Sequence, residues 1–209
     1  MSNESIIDVM YERHSVRKYT DQKITNKVME KIIQAAGSAP SAWNLQPWKF
    51  ILVQDQGLKE KLCEAAYGQQ QVKEAAVLVI VLGDTQANLN AEGIYSVAAN
   101  AGYMPESVKN DILANIKRVY DTVPNAGVQL ALQNSSYAAM QLMLAAKAEG
   151  IDSCPMTGYD SKAVRELLEI PDRYIPTLLV TLGYASQPAH GSGRFPVNQI
   201  LFYDKFGSR

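Results

Sequence analysis

Ala39-Pro-Ser-Ala-Trp-Asn-Leu-Gln-Pro-Trp48 joins two segments of opposite character. Before it, Thr25 can cap a helix, Ile24 and Met29 sit where a hydrophobic staple belongs, and Val28, Ile32, Ile33 and Ala36 carry one face to Gly37. After it, Trp48 to Gln54 is bulky and β-branched, the composition of a strand. The stretch is therefore a helix-to-strand connection of unusual make-up. Its prolines stiffen it, its small side chains let a planar ring lie close to backbone, and Asn44 and Gln46 carry amides that can read carbonyl and imino edges. The same residues also suit a rigid turn that packs both tryptophans into the core.

Working outward, Ser5 with Asp8 starts a first helix, whose stripe of Ile6, Ile7, Met10 and Tyr11 runs up to Arg13. Ala76 to Leu82 and Thr177 to Leu182 are near-continuous apolar runs ending in Gly83 and Gly183, as expected of central strands covered on both faces. Further helices are expected at Leu58 to Ala66, Pro105 to Tyr120 and Asp160 to Leu168. Between Gln133 and Glu149 the chain is apolar on almost every face, which predicts a helix enclosed all round. A second copy of the chain is the expected cover, a central core helix of a monomer the alternative. Asn198 to Phe206 is aromatic and apolar, so it too is expected to dock, with another subunit as candidate.

The composition excludes several classes. With 209 residues, 47% of them hydrophobic, the chain can fold as one domain spanning 1–209, without internal repeat or linker. Lys and Arg number 20 against 21 Asp and Glu, so there is no broad positive field to hold nucleic acid or an anionic membrane. Two cysteines and two histidines are too few for a disulfide framework or a multi-histidine metal centre. No stretch reaches the ~20 apolar residues of a membrane span, and the first residues lack the pattern of a signal peptide. A cytoplasmic location is expected.

Gly-x-Ser-x-Gly, Rossmann and P-loop signatures are all missing, so a bound nucleotide would be held some other way. Arg13-His-Ser-Val-Arg-Lys-Tyr19 offers one. Arg13, Ser15 and Arg17 alternate, and in an extended backbone alternate side chains share a side. Two guanidiniums and a hydroxyl make a phosphate clamp, and equally a basic turn complementing a helix dipole.

Taken together, these two segments resemble the nitroreductase family. Gly68-Gln-Gln-Gln-Val72, Ala148-Glu-Gly-Ile-Asp-Ser-Cys-Pro-Met-Thr-Gly158 and Gly193-Arg-Phe-Pro196 resemble its later blocks, in its order, so the likeness covers essentially the whole chain. The resemblance implies an α+β nitroreductase-like sandwich, a mostly antiparallel central sheet flanked by helices, in an intertwined homodimer with FMN at the subunit interface. It implies that Arg13, Ser15, Arg17 and Arg194 hold the phosphate and ribityl chain, with His14 contributing backbone. Pro40, Ser41, Ala42 and Asn44 would approach the flavin of the opposite subunit, and Gln69 and Gln71 would bond its pyrimidine edge or ribityl hydroxyls. Thr157 and Gly158 would lie beside the reactive ring nitrogen, with Pro155 and Met156 packed nearby. Electrons would pass from NADH or NADPH to a small-molecule oxidant, a nitroaromatic or quinone, in a ping-pong cycle. A flavin carrier or sensor without turnover and related chemistry such as dehalogenation are the alternatives. Many members carry Lys where Ser192 stands and some carry Glu where Thr157 stands, and residues 85–134 vary most, so no substrate residue transfers from them.

Overall fold

Val77–Asp84 is buried at every position, and a strand of such Val, Leu and Ile needs cover on both faces and both edges. In the computed structural model, which describes residues 5–208, it forms β2 of a four-stranded sheet. β1 (Trp48–Val53) and β4 (Tyr174–Gly183) flank it, and β3 (Asp152–Met156) pairs with the outer edge of β4, giving the order β1-β2-β4-β3. All three pairings are antiparallel. The expected α+β class and antiparallel sheet are found.

Side-chain alternation then sends two cores to opposite faces. On one, α2 (Asn26–Gly37) and α7 (Ala126–Ala148) bring Met29, Ile32, Leu142 and Ala146 against Val79, Val81, Val180 and Leu182. On the other, α3 (Gln56–Ala65), α4 (Gln71–Glu74) and α8 (Ser161–Leu167) bring Leu62, Val72 and Val164 against Leu78, Ile80 and Leu179. Each fully buried Leu or Ile contributes about 1.5–3 kcal/mol. A satellite core is built by α5 (Ala91–Asn100) and α6 (Glu106–Thr122), whose Ala91 and Ile116 enclose Leu45 and Ala87 with Trp43 packed alongside. α1 (Ile6–Glu12) carries the Ser5–Asp8 capping box, and α9 (Val197–Ile200) is a single exposed turn.

Several elements depart from expectation. α7 begins at Ala126 rather than near Gln133, and Gly127 allows it, because a Cβ there would lie 2.1 Å from the Thr85 carbonyl oxygen. β3 was not foreseen, since Asp152, Ser153 and Pro155 break its apolar pattern; an edge strand tolerates them. α5 was not foreseen either. α7 is not enclosed all round in one chain: Ala138, Ala139 and Leu142 are buried, while Tyr137 is 44% and Met140 41% exposed. Nor does the C-terminal stretch dock on its own core: Tyr203 and Ile200 are exposed, and Phe206, 91% exposed, stacks only on Phe202. Among the described residues no helix is long and apolar enough to cross a membrane, and no group of His, Cys, Asp and Glu is placed to hold a metal ion.

Candidate functional site

The extended segment after α1 is pinned at both ends. Ser15 bridges Ser153 of β3, with the Val16 amide donating to the Ser153 carbonyl at 3.0 Å, and Tyr19 bridges Ala185 beyond β4. The Tyr19 hydroxyl donates to the Val16 carbonyl at 2.8 Å and meets Thr181 Oγ1 at 2.8 Å, while its ring covers Gly183 so closely that a Cβ there would come within 2.6 Å. Burial drives the Tyr19 hydroxyl pKa far above the tyrosine range.

Arg13 and Arg17 flank Ser15 on this anchored segment, and Arg17 Nη1 donates to the Ser15 carbonyl at 3.4 Å. Arg13, Ser15 and Arg17 all bear on Cys154: burial pushes its thiol up, opposed by the Arg17 charge, a Ser15 hydrogen bond and the Arg13 charge. Arg194 comes to Arg13 from the far end of the chain, while Ser15 and Arg17 lie outside the cavity the two share. With Arg13, His14, Ser192, Met10 and Met140, Arg194 lines this cavity of about 580 Å³, and Ser192 Oγ accepts from its guanidinium at 2.8 Å. Ser192 thus steers an arginine.

Two polar atoms here are buried without a partner, Arg13 Nη1 and Ser153 Oγ. Leaving such a group unpaired costs about 1–3 kcal/mol, more for a charged one. Among the described residues no carboxylate pairs with Arg13, Arg17 or Arg194. An anion with several acceptor oxygens, such as a phosphate ester, satisfies this donor set. The residues present therefore fit the phosphate of an FMN.

A second group gathers where β3 ends. Gln69 Nε2 donates to the Gly158 carbonyl at 2.8 Å, and Gln71 Nε2 reaches Gln69 Oε1 at 3.0 Å and Met156 Sδ at 3.3 Å. Gln71 is buried while Thr157 and Gly158 are exposed, and Pro155, on β3 just before them, is half-buried. A patch of amides beside an exposed backbone turn suits the hydrogen-bonding edge of a flat heterocycle.

The third group is the connection before β1. Ala42–Asn44 forms a 3₁₀ turn in which Trp43 and Asn44 have φ of 50° and 52°, and Gln46 follows at 50°. Each such non-glycine residue costs about 1 kcal/mol or more, so surroundings must impose them. Asn134, buried in α7, does so: its Oδ1 accepts from the Ala42 amide at 2.8 Å, and its Nδ2 donates to the Leu130 carbonyl at 2.6 Å. Ser41 Oγ accepts from the Gln46 amide at 3.0 Å, and the Asn44 side chain is left exposed. Pro40 belongs to a different hollow, an apolar groove of about 580 Å³ between α1, α2 and α7 lined by Ile6, Met10, Tyr137 and Met140.

Within one chain the three groups do not enclose one pocket. Met10 and Met140 line both the clamp cavity and the groove, while Gln69, Gln71, Thr157 and Gly158 line neither. Two hollows around α8 are walled by charged residues such as Lys162, Arg165 and Glu166 and hold none of the expected ones. Sequence reasoning missed Asn134, Ser153 and the ion pair of Asp84 with Arg173. Only Asn134 had a signal, as a short amide in the middle of a largely apolar helix.

The family model described as "Nitroreductase family" matches residues 10–184. The "Putative NAD(P)H nitroreductase YodC" of Bacillus subtilis is 37% identical over 195 residues, covering 93% of this chain and 96% of its own. A "NADH dehydrogenase" of Thermus thermophilus is 31% identical over 192 residues, covering 91% and 92%. Among solved structures, a "putative nitroreductase in complex with FMN" from Exiguobacterium sibiricum superposes with a TM-score of 0.88 at 33% identity, covering 98% of this chain and 99% of its own. Sheet order, clamp, glutamine patch and connecting loop thus come together in a chain whose likeness to these proteins runs end to end, and the chain belongs to the nitroreductase family.

Proposed function

We propose that this chain is an FMN-dependent oxidoreductase that takes electrons from NADH or NADPH and passes them to small, flat, electron-poor acceptors such as nitroaromatics or quinones. The observation that carries the reading is the buried, unpartnered Arg13 guanidinium nitrogen beside Arg194 and His14 on one cavity. Arg13, Ser15, Arg17 and Arg194 would hold the phosphate end, and Gln69 would offer its remaining amide hydrogen to the ring's polar edge, with Gln71 orienting Gln69 and presenting its own oxygen to the ribityl hydroxyls. Pro155, Met156, Thr157 and Gly158 would lie beside the ring, where a backbone N–H of the turn could hydrogen-bond its reactive nitrogen. FMN, when bound, supplies the hydride and electron chemistry, so the protein needs no acid–base dyad of its own. Its residues would hold and orient the ring, and donor and acceptor would use the same site in turn, a ping-pong order. The nucleotide-bearing FMN complex of the Exiguobacterium relative and the names of the two curated relatives support this assignment.

The working unit is a homodimer in this proposal. The apolar groove beside α7 and the exposed aromatic C-terminal stretch are the surfaces a second copy covers, and Pro40, Ser41, Ala42 and Asn44 reach the partner's flavin across it. Both cysteines are free, which suits a reducing cytoplasm.

Anaerobic titration with NADPH, and with NADH in parallel, tests the activity through the visible flavin spectrum. Bleaching at about one equivalent per bound flavin is the expected result. A yellow protein that neither donor bleaches sinks the NAD(P)H-dependent reading, and a colourless one that ignores added FMN removes the cofactor assignment.

A further inference from the structure

The loop 41–46 has an unusual hydrogen-bond account. A buried or strained backbone carbonyl needs a donor, and each carbonyl from Ser41 to Gln46 has one. Four are met from within the loop and its exit: Ser41 O by the Asn44 amide at 2.9 Å, Ala42 O by the Leu45 amide at 3.1 Å, Asn44 O by Gln46 Nε2 at 3.2 Å, and Gln46 O by the Trp48 amide at 2.8 Å. The other two are met only from outside, by the helical segment 87–100. The Tyr95 hydroxyl donates to Trp43 O at 2.9 Å, and Asn90 Nδ2 donates to Leu45 O at 3.1 Å. One of these carbonyls belongs to left-handed Trp43, and the other, of Leu45, lies between left-handed Asn44 and Gln46. Left-handed backbone at Trp43 turns its carbonyl away from the local turn, so the side chain that meets it selects that conformation.

Asn90 is itself held. Its Oδ1 accepts from Arg173 Nη2 at 3.2 Å, and Arg173 grips buried Asp84 with a fork of 2.7 and 2.6 Å. With its oxygen fixed by a guanidinium, the amide presents its NH₂ to Leu45 and not the reverse. Tyr95 is fixed through its helix: Glu92 and Lys109 pair at 3.3 Å, tying α5 to α6.

We propose that Asn90 and Tyr95 are positioning residues for the flavin-facing loop, donating to the Leu45 and Trp43 carbonyls so that residues 40–44 are already in their cofactor-binding conformation before FMN arrives. The inference rests on the FMN reading, and assigns a task to the segment 87–100.

Tyr95→Phe and Asn90→Asp each remove one donor with almost no change of volume, and the aspartate keeps its contact with Arg173. Val97→Ala, on the same helix but 71% exposed and outside the Glu92–Lys109 tie, is the control. FMN affinity is read by quenching of flavin fluorescence on titration into apoprotein, bound-flavin geometry by visible circular dichroism, and loop order by thermolysin cleavage of the apoprotein within 40–48. Both donor variants are expected to bind FMN about tenfold more weakly, with an altered flavin dichroism and faster cleavage, while the control matches wild type. Wild-type affinity and dichroism in Tyr95→Phe overturn the inference, even if cleavage is faster, because the tether then does not serve the flavin. Equal weakening in the control overturns it too, as general loosening of α5. Should the wild type take up no FMN, the cofactor reading itself falls; should it bind FMN and the donor variants bind equally well, only this inference falls.

Discussion

Gly183→Ala tests how the fold positions the clamp. The new methyl would stand 2.6 Å from Tyr19 Cδ1 and 3.0 Å from its Cγ, atoms close to the Tyr19 backbone that cannot swing aside as a side-chain tip does. The far end of the ring is fixed as well, by Val16 O and Thr181 Oγ1. Overpacking of this sort costs about 1–3 kcal/mol. If the ring moves to relieve it, the Tyr19 hydroxyl gives up its buried partners, which costs about 1–3 kcal/mol more where a group stays unsatisfied. A total near 3 kcal/mol corresponds to a fall in Tm of roughly 6–12 °C for a chain of this size. Because Tyr19 and Ser15 anchor opposite ends of the extended segment, the variant should also lose FMN more readily on gel filtration. Calorimetry at fixed protein concentration gives the Tm, and a cycle with Tyr19→Ala gives the coupling: once the ring is gone, the added methyl should cost little. A Tm within 1–2 °C of wild type, or full additivity in the cycle, would refute the packing argument.

Arg173→Met leaves Asp84 buried without its fork, and since Arg173 is itself 28% exposed the cost belongs at the low end of the range for broken buried pairs, about 3 kcal/mol, read as a shift in the urea midpoint. Arg194→Ala removes one charge-assisted donor from the phosphate site and should weaken FMN by about tenfold, measured by ultrafiltration of released flavin; full retention would argue against the clamp. Met140→Glu puts a carboxylate on the exposed face of α7 and should turn the proposed dimer into monomer by sedimentation velocity. Burial pushes Tyr120 and Tyr159 up to about 12, so both stay protonated in the fold where the unfolded chain already ionises. Their contribution is complete below pH about 10 and disappears as pH climbs to about 12, so Tm should hold level to pH about 10 and then fall, less steeply in Tyr159→Phe.

The parts of this molecule that announced themselves did so through periodicity. β2 and β4 were visible because apolar side chains on both faces leave an unbroken run, and α2 because its staple and cap flank a clean stripe. β3 was hidden for the opposite reason: one edge meets β4 and the other only the Ser15 bridge, so its residues answer to neighbours and not to a repeating face. The exposed side of α7 was misjudged as enclosed, because an apolar surface reads the same whether its cover belongs to this chain or to another.

The site divides along the same line. Arg13, Ser15 and Arg17 were legible because a clamp for a charged group needs particular side chains at a fixed spacing. Asn90, Tyr95 and Asn134 were not, because what they satisfy is backbone, and the Trp43 and Leu45 carbonyls and the Ala42 amide are the same whatever residues carry them. Any donor from any element at the right distance would serve, so no pattern in the chain marks the partner. A left-handed turn at three non-glycine residues can therefore be written into a loop while the groups that enforce it sit in α7 and in the segment 87–100. The stretch 85–134, least informative as sequence, holds all three of them.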